Sequence, residues 1–154
     1  MASPSKDKGD RAERDFVKHI NAHGFPNARR GKAGAEKDLG DIFGVRDRDS
    51  DEWTVQVADR AILGREHGAV LRKAAEAAVQ SERAGTPLWC LVVKRAGCAD
   101  VGQWFVWLPA WALYGAFHSS GRIYGEDAGN EWADLVCVTV RTWLALVAPE
   151  RVAA

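Results

Sequence analysis

The sequence lacks the features of a membrane protein, a secreted disulfide-bonded domain and a zinc protein. No stretch of the 154 residues approaches the ~18 to 20 consecutive apolar residues that a membrane-spanning helix needs. The polar start has no apolar segment behind it, so it does not resemble a signal peptide. The three cysteines, Cys90, Cys98 and Cys137, form no Cys-x-x-Cys pair and leave an odd one over. We therefore expect a cytoplasmic protein without a membrane partner, structural zinc or a disulfide framework.

A net charge is also absent, so the overall charge gives no support for nucleic-acid binding. The 21 Lys and Arg residues balance 21 Asp and Glu residues. Their distribution is uneven: residues 6–37 hold nine basic and five acidic side chains, a net of +4, whereas residues 96–154 hold three and six, a net of −3. A basic first quarter can give the molecule a face suited to phosphates, and ordinary solvated charge explains the counts equally well.

What the sequence does contain is enough apolar material for one folded domain. The hydrophobic fraction is 47%, and the length favours one domain over two. We expect residues 1–9 to be a disordered tail, residues 10–118 the core and residues 119–154 a C-terminal extension packed on the same domain. Helices interrupting strands predict a single-domain α/β fold with a mixed sheet flanked by helices. The predicted helices lie at 10–23, 66–84, 109–117 and 142–147, and the predicted strands at 25–30, 41–45, 53–60, 88–94, 103–108 and 135–140.

The first hairpin of this pattern carries candidate residues for chemistry. Metal-dependent cleavage of a phosphodiester needs oxygen ligands gathered on one wall, where they hold Mg²⁺ and the ion activates water. Asp41 opens one predicted strand, and the strand at 53–60 should lie beside it. Alternation places Gln56 and Ala58 on one face of that strand. A first helix packed over the sheet edge would add Glu13.

The order of these features resembles the PD-(D/E)xK nuclease superfamily, and most of all its Holliday-junction-resolvase branch. That family has a helix-borne Glu, an Asp that opens a strand, Glu-x-Lys on the next strand and then a long helix. The Gly-rich run before Asp41 is similar to that of small resolvase-like proteins from phages of actinobacteria. The resemblance covers roughly residues 5 to 110 and implies a restriction-endonuclease-like fold. The matching stretches are Gly9-Asp10-Arg11-Ala12-Glu13-Arg14, Lys37-Asp38-Leu39-Gly40-Asp41-Ile42 and Val55-Gln56-Val57-Ala58.

The resemblance implies cleavage of branched DNA, such as a four-way junction, by a homodimer that uses Mg²⁺ or Mn²⁺. Glu13 and Asp41 match the family's carboxylates, and the Val57 carbonyl can complete the metal site. Pairing with neighbouring arginines is the alternative role for Glu13, and a turn position after a glycine is the alternative for Asp41.

Two of the implied catalytic positions hold other residues. Gln56 stands where the family has Glu, and its amide oxygen can coordinate Mg²⁺ without contributing charge. Ala58 stands where the family has Lys, and alanine can neither orient water nor stabilise a leaving group. Arg60 shares the face of Gln56 and can supply a cation farther along the strand. The exchanges of Glu for Gln56 and of Lys for Ala58 are either natural or of the kind that is introduced to trap a complex of a nuclease with its DNA.

Phosphate contacts would come from basic side chains around this hairpin. The candidates are Arg14, Arg29, Arg30, Lys32, Lys37 and Arg60. Three functions therefore compete: an endonuclease with a compromised site, a DNA-binding relative that has lost catalysis, and a structural phage protein that keeps only the nuclease fold. Binding and cleavage assays on a four-way junction separate them.

Overall fold

The computed structural model describes residues 4–31, 39–59, 67–117 and 135–149. Its elements follow one another as α1 (Pro4–Ala22), β1 (Arg29–Arg30), β2 (Ile42–Phe43), β3 (Trp53–Asp59), α2 (His67–Ala84), β4 (Leu88–Lys94), a 3₁₀ turn (Val101–Gln103), β5 (Phe105–Pro109), α3 (Ala110–Phe117), β6 (Leu135–Thr139) and α4 (Val140–Val147). None of the helices in these ranges is both long and apolar enough to cross a bilayer.

The strands form one six-stranded sheet in the chain order β1 to β6. β3 and β4 are parallel, with Trp53 beside Leu88 and Asp59 beside Lys94, and every other neighbouring pair is antiparallel. A parallel pair needs a crossover connection, which α2 supplies. The predicted single-domain α/β fold with a mixed sheet flanked by helices is therefore confirmed.

The sheet buries apolar side chains on both of its faces. On one face, α1 and α4 cover a core that we call the α1-side core, which includes Phe16, Val55, Val57 and Trp143. The other face carries a smaller group, the α2-side cluster. Alternation along β4 divides its side chains between the two, because successive residues of a strand point to opposite faces. The α2-side cluster consists of Val70, Ala74, Ala77, Trp89, Leu91 and Val93.

The first helix begins earlier than the sequence predicts. It starts at Pro4 rather than near Asp10, so residues 4–9 of the predicted disordered tail are helical. Proline is tolerated at a helix start because the first N–H groups have no partner within the helix. The polar residues that follow predict a solvated tail, but most of them also fit the exposed first turns of a helix.

Several strands are shorter than predicted. β2 covers only Ile42–Phe43, because Gly44 adopts a φ of 76° that a regular strand cannot continue through. β5 begins at Phe105 because the preceding residues form the 3₁₀ turn, in which the Asp100 side chain accepts a hydrogen bond from the Gly102 N–H. The predicted strand at 25–30 contracts to Arg29–Arg30.

Candidate active site beside strands β2 and β3

Asp41 lies immediately before β2 and is tied to the neighbouring strand β3. Its N–H donates to the Val55 carbonyl at 3.0 Å, and its own carbonyl accepts from the Gly31 N–H at 2.7 Å. Its carboxylate oxygen Oδ2 accepts a hydrogen bond from the Val57 N–H at 2.8 Å. Because a charged acceptor strengthens such a bond, the carboxylate is held in place against the backbone of β3.

Gln56 lies between the two residues of β3 that Asp41 contacts. Val55 and Val57 belong to the α1-side core, whereas Leu91, the register partner of Gln56 on β4, belongs to the α2-side cluster. The Gln56 side chain therefore points towards α2. The residue is only 7% exposed, and its Oε1 has no hydrogen-bond partner within the described residues. A buried polar atom left in this state costs about 1 to 3 kcal/mol, which a cation or a donor could offset.

Gly40 brings the backbone before Asp41 close to β3 and α2. Its φ is 105°, and a Cβ at this position would lie 3.0 Å from Thr54 Cγ2 and 3.8 Å from Gln80 Oε1. Such a positive φ favours glycine, because a side chain would be strained there. The segment that leads into Asp41 therefore packs over the same face of β3 that carries Gln56.

Gln80 on α2 is a buried member of this neighbourhood, although its place in the helical pattern favours a polar, solvated helix face. It is 3% exposed on α2, although a polar residue of a helix is more often solvated. Its position on the helix is the feature that indicates burial, because it lies three residues after Ala77 and immediately before Ser81, and both of these residues are buried. Two carboxamides, Gln56 and Gln80, thus lie in the layer between β3 and α2.

Other polar side chains in this layer have partners. Thr54 Oγ1 and Thr86 Oγ1 are 2.6 Å apart, and the Ser81 hydroxyl donates to the Thr86 carbonyl at 2.8 Å. These contacts fasten the C-terminal end of α2, and Thr86 two residues beyond it, to β3.

Ala58 and Gln56 share a face of β3, as alternation predicts. Ala58 is half-buried and packs against the α2-side cluster, beside its register partner Val93. A methyl group here offers neither charge nor hydrogen bond. Arg60, the predicted alternative cation, lies outside the described residues.

Glu13 forms an ion pair with Arg30. Pairing with an arginine is the alternative role that the sequence allows for Glu13, and this role is present in the structure. Arg30 Nε donates to Glu13 Oε2 at 2.8 Å, and Arg30 NH2 also reaches Asp10 Oδ1 at 2.9 Å. Burial acts to lower the pKa of Arg30, but the hydrogen bonds and charges of Glu13 and Asp10 outweigh it, and the pKa is raised. The contact joins α1 to β1, the strand next to β2.

The predicted DNA-binding residues divide into three groups. Arg14 and Arg29 are exposed and available to a phosphate. Arg30 is engaged by two carboxylates, so phosphate binding would have to compete with them. Lys32 and Lys37, like Arg60, lie outside the described residues.

The donors near Asp41 fit a hard cation in type but supply little charge. Within the described ranges, no group of three or more His, Cys, Asp or Glu side chains gathers in a way that could hold a metal ion. Asp41 contributes one carboxylate and Gln56 one amide oxygen, both of which are ligands that Mg²⁺ accepts. Because the two ligands carry only one negative charge, we expect the site to bind Mg²⁺ weakly. The presence of Gln56 where the family has a glutamate leads to the same expectation.

Comparisons of the chain with models of protein families, with curated proteins and with solved structures found no match.

Proposed function

We propose that this protein has a PD-(D/E)xK-type nuclease fold, binds branched or double-stranded DNA and carries a weakened Mg²⁺ site for phosphodiester cleavage. One observation carries the proposal. The Asp41 carboxylate is bonded to the N–H of Val57, and the residue before Val57 is Gln56, whose buried amide oxygen has no partner among the described residues. The order of α1 with Glu13, β2 after Asp41, β3 with Gln56 and Ala58, and then α2 supports the proposal, because the resemblance implies this order.

In this proposal, Asp41 and Gln56 hold Mg²⁺ or Mn²⁺, with the Val57 carbonyl as a further oxygen donor. A bound ion of this kind lowers the pKa of water and stabilises charge on a phosphate. The Val57 N–H keeps the Asp41 carboxylate in position before any ion arrives. Gln56 lowers the affinity for the ion because it brings only a dipole, and Ala58 leaves the phosphate without a neighbouring ammonium group.

The second candidate is a DNA-binding or structural phage protein that retains the nuclease fold without cleavage. It is favoured by Gln56 and Ala58, and by the ion pair that already engages Glu13 with Arg30. Binding of a four-way junction without turnover at high protein concentration, with either Mg²⁺ or Mn²⁺, would support this candidate over a working endonuclease.

Cleavage of two strands at a junction also implies a symmetric dimer, since twofold pairing is the commonest closed assembly. We propose a homodimer on this ground. Sedimentation that gives a clean monomer at micromolar concentration, with and without junction DNA, would count against the resolvase assignment.

A gain-of-function experiment tests the site directly. Gln56→Glu restores a charged ligand, and Ala58→Lys places an ammonium on the same face of β3. Each change alone should do little, because such groups act as a unit. The double variant should cleave a four-way junction at least about a hundredfold faster than the natural chain with Mg²⁺, on the scale of electrostatic stabilisation in active sites.

Two further variants make the result specific. Gln56→Glu combined with Ala58→Met matches the double variant in side-chain size but has no ammonium, and it should remain slow. Adding Asp41→Ala to the double variant should abolish the gain. A folded, DNA-binding double variant that stays inert with Mg²⁺ and Mn²⁺ would show that the active site has been misplaced.

A further inference from the structure

The exposed side of α1 carries three cations at helical spacing. Arg14 lies three residues after Arg11, and Lys18 lies four residues after Arg14, so the three share one stripe of the helix. All three are exposed, while Ala12 and Phe16 on the opposite side are fully buried in the α1-side core. We call Arg11, Arg14 and Lys18 the basic stripe. At 1.5 Å per residue it extends for about 10 Å along the helix.

Within the described residues, none of the three members of the basic stripe forms an ion pair. Asp7 and Asp15 lie four residues before and four residues after Arg11 and are exposed, so they offset part of the charge of the stripe without pairing with it. Four other cations do form ion pairs with carboxylates, namely Arg30, Arg46, Lys73 and Arg141, whereas the exposed Arg72, Arg83 and Arg95 form none in the described part of the chain. The like charges of the stripe repel one another at these spacings, and a polyanion laid along the helix would relieve the part of this repulsion that the aspartates leave.

We propose that the basic stripe binds the phosphate backbone of double-stranded DNA. This inference rests on the proposed function and adds a second contact surface to it. One DNA strand carries a phosphate for each ~3.4 Å of helix axis, so a 10 Å stripe can meet up to about three phosphates. Arginine is suited to the task because its planar guanidinium binds a phosphate with two parallel hydrogen bonds.

The setting of α1 favours DNA over an anionic membrane surface. A helix that lies in a membrane interface inserts a free apolar face between the lipids. The apolar face of α1 is already occupied, because Phe16 and Ile20 have no exposed surface. The helix therefore offers a partner only its charged side, which suits a hydrophilic polyanion.

The basic stripe is also connected to the proposed active site. Glu13, the residue before Arg14, is bonded to Arg30 on β1, and β1 pairs with β2 next to Asp41. The stripe thus lies on the helix that covers the face of the sheet opposite to Gln56 and that contacts the edge strand β1 through Glu13. A duplex arm leaving the site over this edge would meet Arg14 and then its neighbours on the helix.

Fluorescence anisotropy with a labelled duplex and a labelled four-way junction tests the inference. The stripe variant is Arg11→Gln, Arg14→Gln and Lys18→Gln, which removes three charges and keeps helix-forming side chains. The matched control is Arg72→Gln, Arg83→Gln and Arg95→Gln, which removes the same charge from exposed positions on α2 and after β4. Circular dichroism and thermal unfolding establish that both variants fold.

We expect the stripe variant to bind duplex DNA at least about tenfold more weakly at ~0.1 M salt, and its salt dependence to fall by about two to three units of slope. The control should lose less than about threefold, because its charges act only through the overall field. Equal losses in the two variants would overturn the stripe as a contact surface.

The remaining outcomes separate this inference from the proposed function. If the natural chain binds DNA and the stripe variant binds equally well with the same salt slope, the inference fails and the proposed function stands. If the natural chain binds neither DNA at low salt, both fail. Binding of phosphatidylserine vesicles that depends on the stripe, together with DNA binding that does not, would reassign the surface to a membrane.

Discussion

The buried amide oxygen of Gln56 predicts that the protein becomes more stable when the polar end of this side chain is removed. The residue is 7% exposed, and Oε1 has no hydrogen-bond partner within the described residues. An unsatisfied buried group of this kind costs about 1 to 3 kcal/mol. Methionine is similar in length and flexible enough to fit the same space. We expect Gln56→Met to raise the free energy of unfolding by about 1 kcal/mol, the lower end of that range.

The same variant separates a metal ligand from a misplaced polar group. A ligand that binds only the folded state stabilises it by RT ln(1 + [L]/Kd), which is about 1.4 kcal/mol at ten times the Kd. Mg²⁺ should therefore stabilise the natural chain, and this gain should disappear in Gln56→Met and in Asp41→Asn. Urea unfolding with and without Mg²⁺, at constant ionic strength, measures both effects. Gln103→Met is the matched control, because Gln103 is exposed and its Nε2 donates to Asp100 at 3.1 Å.

A specific pair of results would refute this reasoning. If Gln56→Met destabilises the protein by more than about 1 kcal/mol and Mg²⁺ leaves the natural chain unchanged, the amide makes favourable contacts in the folded state. Gln56 would then be a structural residue, and the metal site beside Asp41 would lose its main support.

Two further predictions concern stability. Gly44→Ala should cost more than about 2 kcal/mol, because the φ is 76° and the new Cβ would clash with the Asn27 carbonyl oxygen. Gly85→Ala has a φ of 66° but nothing within 4 Å of the new Cβ, so it should cost only about 1 kcal/mol. Urea unfolding of both variants that gives the reverse order would contradict this. Burial, and then the nearby charge of His23, lower the pKa of His19. The unfolded chain therefore binds this proton more readily than the folded chain does. The free energy of unfolding should fall as the pH drops below the ordinary histidine pKa of about 6.5. His19→Gln should reduce this acid sensitivity in unfolding experiments at pH values on both sides of that point, and an unchanged sensitivity would exclude His19 as its source.

The strands of the core could be predicted because their signal is local. β4 is an apolar run bounded by Pro87 and Arg95, and its predicted range agrees with the structure. β3 agrees to within one residue. Both strands lie in the middle of the sheet and are buried on both faces, so their sequences are runs of mostly apolar residues with little interruption. Periodicity also placed Gln56 and Ala58 on one face, since alternation along a strand follows from backbone geometry alone.

The contacts of the site depended on tertiary packing and were harder to predict. The pairing of Glu13 with Arg30 joins residues 17 positions apart, and no local rule chooses it over solvation. The burial of Gln80 depends on how α2 packs against β3, and Gly40 also lies close by, since a Cβ built there would be 3.8 Å from Gln80 Oε1. The early start of α1 at Pro4 was missed because a polar tail and an exposed helical turn have similar compositions.

The layer between β3 and α2 gives the strongest physical reason to place function there. Packing alone would be satisfied by apolar side chains, and α2 does present Ala74 and Ala77 to this layer, both fully buried. At one end of the layer, Thr54 finds a hydroxyl partner. Farther along β3, Gln56 leaves an oxygen without a partner in the described part of the chain, and the N–H of the next residue, Val57, holds the Asp41 carboxylate. Local rules of stability are most often broken at functional sites. A buried oxygen that costs stability, on a strand that also fixes a carboxylate, is what a site awaiting a cation would contain, and an inert relative would gain stability by losing it.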